Sequence, residues 1–346
     1  MQLTRKQFLG SMVGAAAAIA APRAFSQSTV TLRLHQFLPP QAPIPRDAIG
    51  NWVKKVQEES KGRIRIQQFP SMQLGGRPPE LFDQAKNGVV DIAWTVLGYT
   101  PGRFPKTEVF ELPFFTGKAV HSSAAIYDYI QQHAADEFQD VKLLAAHTHG
   151  AGLFHSKTPI TKLEEIKGKK VRGGSRIINI MLEQLGAVPV GMPVPQVGEA
   201  LSKGVIEVAT LPWEVAPSLR IPQLVKNHTG FSGPHGLYTQ TFALVMNPAK
   251  YNSLPDDLKA VIDANSGLEL SKAFGQVLDD ADVTGLKMAQ DAKNNIITLD
   301  EAETKRWQDA AASTRESWFT EVKGRGIDGA KLASEAERLV AQYSVS

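Results

Sequence analysis

Val30-Thr-Leu-Arg-Leu-His-Gln-Phe37, Arg63-Ile-Arg-Ile-Gln-Gln-Phe69 and Val89-Val-Asp-Ile-Ala-Trp-Thr-Val96 decide the fold of this chain. The first two alternate apolar and polar residues, as strands with one covered face do, and the third is apolar on both faces. Two helical patterns separate them. Residues 47–60 place Ile49, Trp52, Val53 and Val56 on one side and close at Gly62; residues 78–87 open on prolines and stop at Gly88. A β-α-β-α-β order requires parallel strands joined by right-handed crossovers, so the chain is of the α/β class.

A similar set follows Gly168: strands at 169–172, 188–192 and 205–211, with helices at 177–185 and 196–203 between them. Two α/β units predict two lobes. The segment 142–156, broken by Gly150 and Gly152, reads as a crossing strand or hinge, and 236–246 as a second crossing strand. From Leu254 onward the pattern is helical, with one long amphipathic stretch reaching Ala292 and further helices after Asp300 and Asp328. The expected division is therefore a first lobe of 27–149 plus about 237–275, and a second of 150–236 plus about 276–346 that carries the C-terminal helices.

The 346 residues are 42% hydrophobic and 21% charged, which excludes a disordered or polytopic membrane chain. Arg5, Lys6 and Arg23 account for three of the 38 Lys and Arg, and the 35 that remain balance 35 Asp and Glu. A neutral body without a basic run gives no electrostatic reason to expect nucleic acid or direct membrane anchoring. Cysteine is absent, so disulfides, thiolate metal sites and a cysteine nucleophile are excluded. Residues 1–26 combine a basic start, a short apolar run and small residues at Ala24 and Ser26, the pattern of an export signal cleaved near Ser26–Gln27. Thr4-Arg5-Lys6-Gln7-Phe8-Leu9 resembles a twin-arginine box with Lys6 in place of the second arginine; a general secretory signal is the alternative. The mature chain is expected in the periplasm.

Catalytic signatures are missing: no Gly-x-Ser-x-Gly elbow, no Walker A loop, no His-Glu-x-x-His and no Gly-x-Gly-x-x-Gly series. The acidic pairs Glu164-Glu165 and Asp279-Asp280 sit in helical surface patterns. Catalysis and a resident cofactor are not expected. One rival remains open, because His147, His149 and His155 share parity in a strand-like segment and could chelate a metal.

Several segments together resemble the solute-binding proteins of TRAP (tripartite ATP-independent periplasmic) transporters, the DctP-type family. They are Gly62-Arg-Ile-Arg-Ile-Gln-Gln-Phe-Pro-Ser-Met-Gln-Leu-Gly75, Asn87-Gly-Val-Val-Asp-Ile-Ala93, Phe110-Glu-Leu-Pro-Phe-Phe115, Leu163-Glu-Glu-Ile-Lys-Gly-Lys-Lys-Val-Arg172, Leu185-Gly-Ala-Val-Pro189, Glu199-Ala-Leu-Ser-Lys-Gly-Val-Ile-Glu207 and Met246-Asn-Pro-Ala-Lys-Tyr-Asn-Ser-Leu-Pro-Asp-Asp-Leu258. The resemblance spans the mature chain. It implies a two-lobed periplasmic-binding-protein fold with two crossing strands and a long bridging helix. It also implies a ligand held by cleft closure, and delivery to a small and a large membrane subunit driven by an ion gradient.

Arg172 ends a predicted strand before Gly173-Gly174, where ligands of parallel α/β lobes sit. Its planar fork of donors suits a carboxylate, and the position matches the family's carboxylate anchor; a surface pair with Glu164 or Glu165 is the alternative. Ungapped alignment puts Gly152 where many relatives carry a second arginine, and Ala209-Thr210-Leu211-Pro212-Trp213-Glu214 lacks an asparagine that many relatives have. The remaining candidates are Phe37, Trp94, Tyr99, Val194, Trp213 and Tyr238 as an apolar or aromatic rim. His35, Gln36, Thr95 and His149 are candidates to bond a hydroxyl or keto oxygen. This set predicts a small or aromatic monocarboxylate, for example a 2-hydroxy or 2-oxo acid.

Overall fold

The computed structural model describes residues 29–345, so the expected export signal lies outside the described residues. The strands are, in chain order, β1 (Val30–His35), β2 (Ile64–Phe69), β3 (Ile92–Val96), β4 (Lys142–Thr148), β5 (Leu153–Ser156), β6 (Lys170–Gly173), β7 (Val188–Gly191), β8 (Val208–Leu211), β9 (Asn227–Phe231), β10 (Thr241–Met246) and β11 (Asn295–Leu299). They form two sheets. The first has the order β2-β1-β3-β10-β4 and the second β11-β9-β5-β8-β6-β7.

In the first sheet β1 pairs in parallel with β2 and β3, and β10 returns antiparallel between β3 and β4. Leu32 and Leu34 are buried while their neighbours Thr31 and Arg33 are exposed, which is the alternation read from the sequence. Every residue of β3 and β10 is buried, as central strands covered on both faces must be. The helix Ile49–Glu59 buries Ile49, Trp52, Val53 and Val56 against this sheet. Trp52 also donates its indole N–H to Asn265 O at 2.8 Å, fixing the helix to the turn before the long helix.

The second sheet contains two strands that the sequence pattern does not reveal, β9 and β11, paired in parallel at its edge. The predicted crossing segment 142–156 is two strands, β4 in the first sheet and β5 in the second, with Gly150 and Gly152 between them. The chain crosses again between β9 and β10.

A third connection is the 24-residue helix Leu268–Asp291, about 36 Å long at 1.5 Å per residue. It touches both lobes through glycines. A Cβ on Gly275 would stand 2.5 Å from Ala119 O, and one on Gly285 2.2 Å from Trp213 O, so only glycine permits either approach. Asp279 accepts from the backbone N–H groups of Ala119 (2.8 Å) and Val120 (2.9 Å), capping the helix Ala119–Tyr129 that has no cap of its own. One turn on, Asp282 accepts from Glu214 N at 2.7 Å in the second lobe.

The C-terminal helices divide between the lobes. Glu301–Ala311 and Ser313–Gly324 pack on the helix Arg176–Gln184 of the second lobe, whereas Gly329–Ser344 packs on Ala119–Tyr129 of the first. The expected assignment of the whole C-terminus to the second lobe is corrected for that last helix. Its apolar stripe of Leu332, Ala333, Ala336 and Leu339 joins the first lobe's core. Among the described residues, no helix is long and apolar enough to cross a membrane.

Candidate functional site

β6 delivers Arg172 to the junction of the lobes, fully buried. Its Nε donates to Met192 O at 3.1 Å and its Nη1 to Thr210 O at 3.0 Å; Thr210 Oγ1 in turn donates to Arg172 O at 2.7 Å. Its Nη2 has no partner and, among the described residues, no acidic side chain pairs with the guanidinium. Glu164 pairs instead with Arg306, and Glu165 accepts from Thr161 N at 2.7 Å, so the surface ion pair considered for Arg172 is absent. Two of the five N–H donors of a guanidinium are spent on carbonyls, Tyr99 lies close beside it, and Nη2 is the nitrogen left without a partner.

Beside it lies a nearly filled cavity of ≈ 20 Å³. The first lobe supplies Phe37, Trp94, Tyr99 and Phe242; the second supplies Val194, Leu211, Pro212 and Val215. Trp94 is sandwiched between Phe37 (ring centroids 4.9 Å apart) and Phe242 (5.3 Å), which sets a flat aromatic wall. His149 and Gln240 bring polar groups to the same cavity. Burial pushes the phenols of Tyr99 and Tyr238 up, with the Arg172 charge working against it, and the same charge opposes protonation of His149. Burial pushes His149 down to about 3, with Arg172 adding to the effect, so its ring is neutral.

The two walls are tied across the cleft. Tyr99 Oη accepts from Val194 N at 2.8 Å, and Gln240 Nε2 donates to Gly174 O at 2.9 Å. Glu111, from the Phe-Glu-Leu-Pro-Phe-Phe stretch, accepts from Thr241 N (3.1 Å) and Thr241 Oγ1 (2.9 Å); burial pushes its carboxyl up to about 7.

The structure therefore brings Arg172, Phe37, Trp94, Tyr99, His149, Val194 and Tyr238 together, and it does not bring the rest. His35 turns to Gln84, with Nδ1 2.7 Å from Oε1, and accepts from Leu74 N at 3.3 Å. Gln36 closes its own turn onto Leu38. Thr95 bonds only weakly to Val96 O, at 3.5 Å, and lies off the cavity wall. Trp213 packs on His155 and His228 behind the second sheet, against the bridging helix. The metal alternative also fails. His147 accepts from Trp94 Nε1 at 2.9 Å, His149 bonds Gly150 O, and His155 lies on the other sheet bonded to His228 at 2.7 Å. Among the described residues, no three His, Asp or Glu side chains are placed to hold a metal ion.

Sequence reasoning missed Phe242, Leu211, Pro212, Val215, Gln240 and Glu214. Their only signal is position, since β8 and β10 end at the cleft. The departure at Gly152 has a structural counterpart: a Cβ there would stand 2.2 Å from the ring of Tyr238, which fills the space a side chain would need.

A buried cation at the junction of two α/β lobes, next to an aromatic cavity walled by both, defines a receptor that encloses a small solute. The chain belongs to the DctP family, bacterial extracellular solute-binding protein family 7, whose pattern matches residues 34–321. It is a TRAP solute-binding protein. A TRAP solute-binding protein of Rhodoferax ferrireducens, crystallised with copurified benzoate, is 45% identical, with a TM-score of 0.90 over 91% of this chain and 99% of that one. Another, from an unidentified marine microbe and specific for aromatic acid ligands, was crystallised with 3-hydroxybenzoate; it matches with the same identity, TM-score and coverage. A third, from Bordetella bronchiseptica with bound (R)- and (S)-mandelate, is 26% identical, with a TM-score of 0.83 over 90% and 99% of the two chains.

Proposed function

We propose that this receptor captures a small aromatic monocarboxylate and hands it to the small and large membrane subunits of a TRAP transporter. The observation that carries the anionic part is Arg172: a fully buried guanidinium without an acidic partner is costly until an anion supplies the missing charge. The unpartnered Nη2, with the second N–H of Nη1 beside it, suits the two oxygens of one carboxylate. A single cation, with the second-arginine position held by Gly152, favours one carboxylate over two. The Phe37–Trp94–Phe242 stack favours a flat, unsaturated body beside it. The benzoate, hydroxybenzoate and mandelate seen in related receptors fit that chemistry.

The test is a calorimetric panel of benzoate, hydroxybenzoates, mandelate, C4-dicarboxylates and sugar acids, with mass spectrometry of any ligand carried through purification. Aromatic monocarboxylates are expected to bind at micromolar or lower Kd and the polyhydroxylated acids not at all. Tighter binding of a dicarboxylate or sugar acid than of every aromatic acid would overturn the proposal.

A further inference from the structure

Arg172 Nη2 is not the only buried polar atom without a partner at this junction; His149 Nε2, Tyr238 Oη and Glu214 Oε2 are among the others. His149 Nε2 differs in kind from the guanidinium, and its hydrogen-bonding character can be worked out. Its other ring nitrogen, Nδ1, lies 2.6 Å from Gly150 O. A carbonyl oxygen only accepts, so Nδ1 carries the hydrogen, and in a neutral ring Nε2 then presents a lone pair. Burial, helped by the Arg172 charge, keeps the ring from taking a second proton. The ring cannot turn away: Tyr238 packs edge-to-face on it at 5.3 Å and 88°, and Phe242 at 5.9 Å and 63°.

The junction thus offers donors at Arg172, and the cavity beside it an obligate acceptor at His149. A carboxylate satisfies the first and repels the second. An unsubstituted ring, a keto oxygen or an ether oxygen leaves a buried acceptor unpaired, which costs more than a missing bond in water. A hydroxyl group answers it. We propose that the ligand carries a hydroxyl that donates to His149 Nε2, so that His149 selects hydroxy-substituted aromatic acids over their unsubstituted, oxo and alkoxy counterparts. This rests on the carboxylate being held by Arg172, as proposed above, and adds the polarity of the second contact.

The experiment compares matched pairs by calorimetry on the unaltered protein: 3-hydroxybenzoate against benzoate and 3-methoxybenzoate, and mandelate against phenylglyoxylate. In at least one pair the hydroxylated acid is expected to bind tenfold or more tightly than its partner. In His149→Phe that ratio is expected to fall to within threefold of one. Equal affinities within every pair on the unaltered protein would overturn the proposal, with a water as the donor to Nε2. A ratio that survives in His149→Phe would overturn it too, leaving the ring a purely steric role. If His149→Phe does not fold, the pairs on the unaltered protein still decide. Binding of these acids that Arg172→Met abolishes but that ignores the hydroxyl would sink this inference alone; binding of no aromatic carboxylate would sink both.

Discussion

Replacing Arg172 by Met is the sharpest test of how the receptor holds its ligand. The substitution keeps an unbranched apolar stem in the pocket and removes the charge and all donors. Two charge-assisted hydrogen bonds from the free edge are worth about 1.5–3 kcal/mol each, or about 3–6 kcal/mol together, which is roughly a 10²- to 10⁴-fold loss in affinity. The same quantity appears in thermal unfolding. At a ligand concentration of about 100 Kd the unaltered protein gains about 2.7 kcal/mol, which is roughly 4 °C in Tm for a chain of this size. At that same concentration the variant would sit at or below its own Kd and gain no more than about 0.4 kcal/mol, under roughly 1 °C. The assays are calorimetric titration and ligand-dependent melting, with circular dichroism to establish that the variant is folded. Arg172→Lys, which keeps the charge but loses the planar fork, is expected between the two. A folded Arg172→Met protein that binds within tenfold of the original affinity would refute the reasoning.

The aromatic wall gives an optical signal: of the chain's five tryptophans only Trp94 lines the cavity, so Trp94→Phe should remove the ligand-induced change in tryptophan emission, and its persistence would place the ligand elsewhere. Gly152→Ala forces Tyr238 out of its seat and should weaken binding and cost about 1–3 kcal/mol of stability by overpacking; an unchanged Tm and Kd would mean that the ring moves freely. Glu214 and Asp282 are buried acids at the contact between the bridging helix and the second lobe, and burial pushes Asp282 up to about 7 and Glu214 well above its ordinary value. The folded state therefore binds protons that the unfolded chain releases above about pH 4, so this contact's contribution is full at low pH and declines as pH rises through about 7. Asp282→Asn, whose side-chain oxygen still accepts from Glu214 N, should raise Tm more at pH 8 than at pH 5; a uniform shift across that range would contradict the assignment.

How far the sequence reached follows from what each pattern encodes. β1 to β3 are legible because alternation and apolar runs are local properties. β9 is not, since its Asn227 and Thr229 are buried by bonds to Lys157 O and Ile160 O, partners some 70 residues away. β11 hides between two helices and becomes a strand only because β9 lies beside it. Arg172 was legible because a strand end before paired glycines fixes where a side chain emerges. His35, Gln36 and Thr95 were misplaced for a related reason. Alternation says which residues share a face, not which face meets the other lobe, and His35 turns toward the Leu74 loop. Phe242 and Leu211 escaped notice because an apolar residue on a central strand reads as core.

That last ambiguity has a physical basis in the receptor itself. Phe37, Trp94, Val194, Leu211 and Phe242 belong to one continuous apolar cluster that runs across both lobes, so the cavity wall is core when the lobes meet and surface when they part. Apolar burial thus draws the lobes together with or without a ligand. On the proposed reading, what opposes closure is Arg172, whose guanidinium loses water when the lobes meet. An anion removes that penalty only in the closed arrangement, where Tyr99–Val194 and Gln240–Gly174 also form. If the ligand is the proposed aromatic carboxylate, the differential affinity that would shift the population toward closure resides in one electrostatic contact, and the aromatic wall would set which anions are flat enough to accompany it.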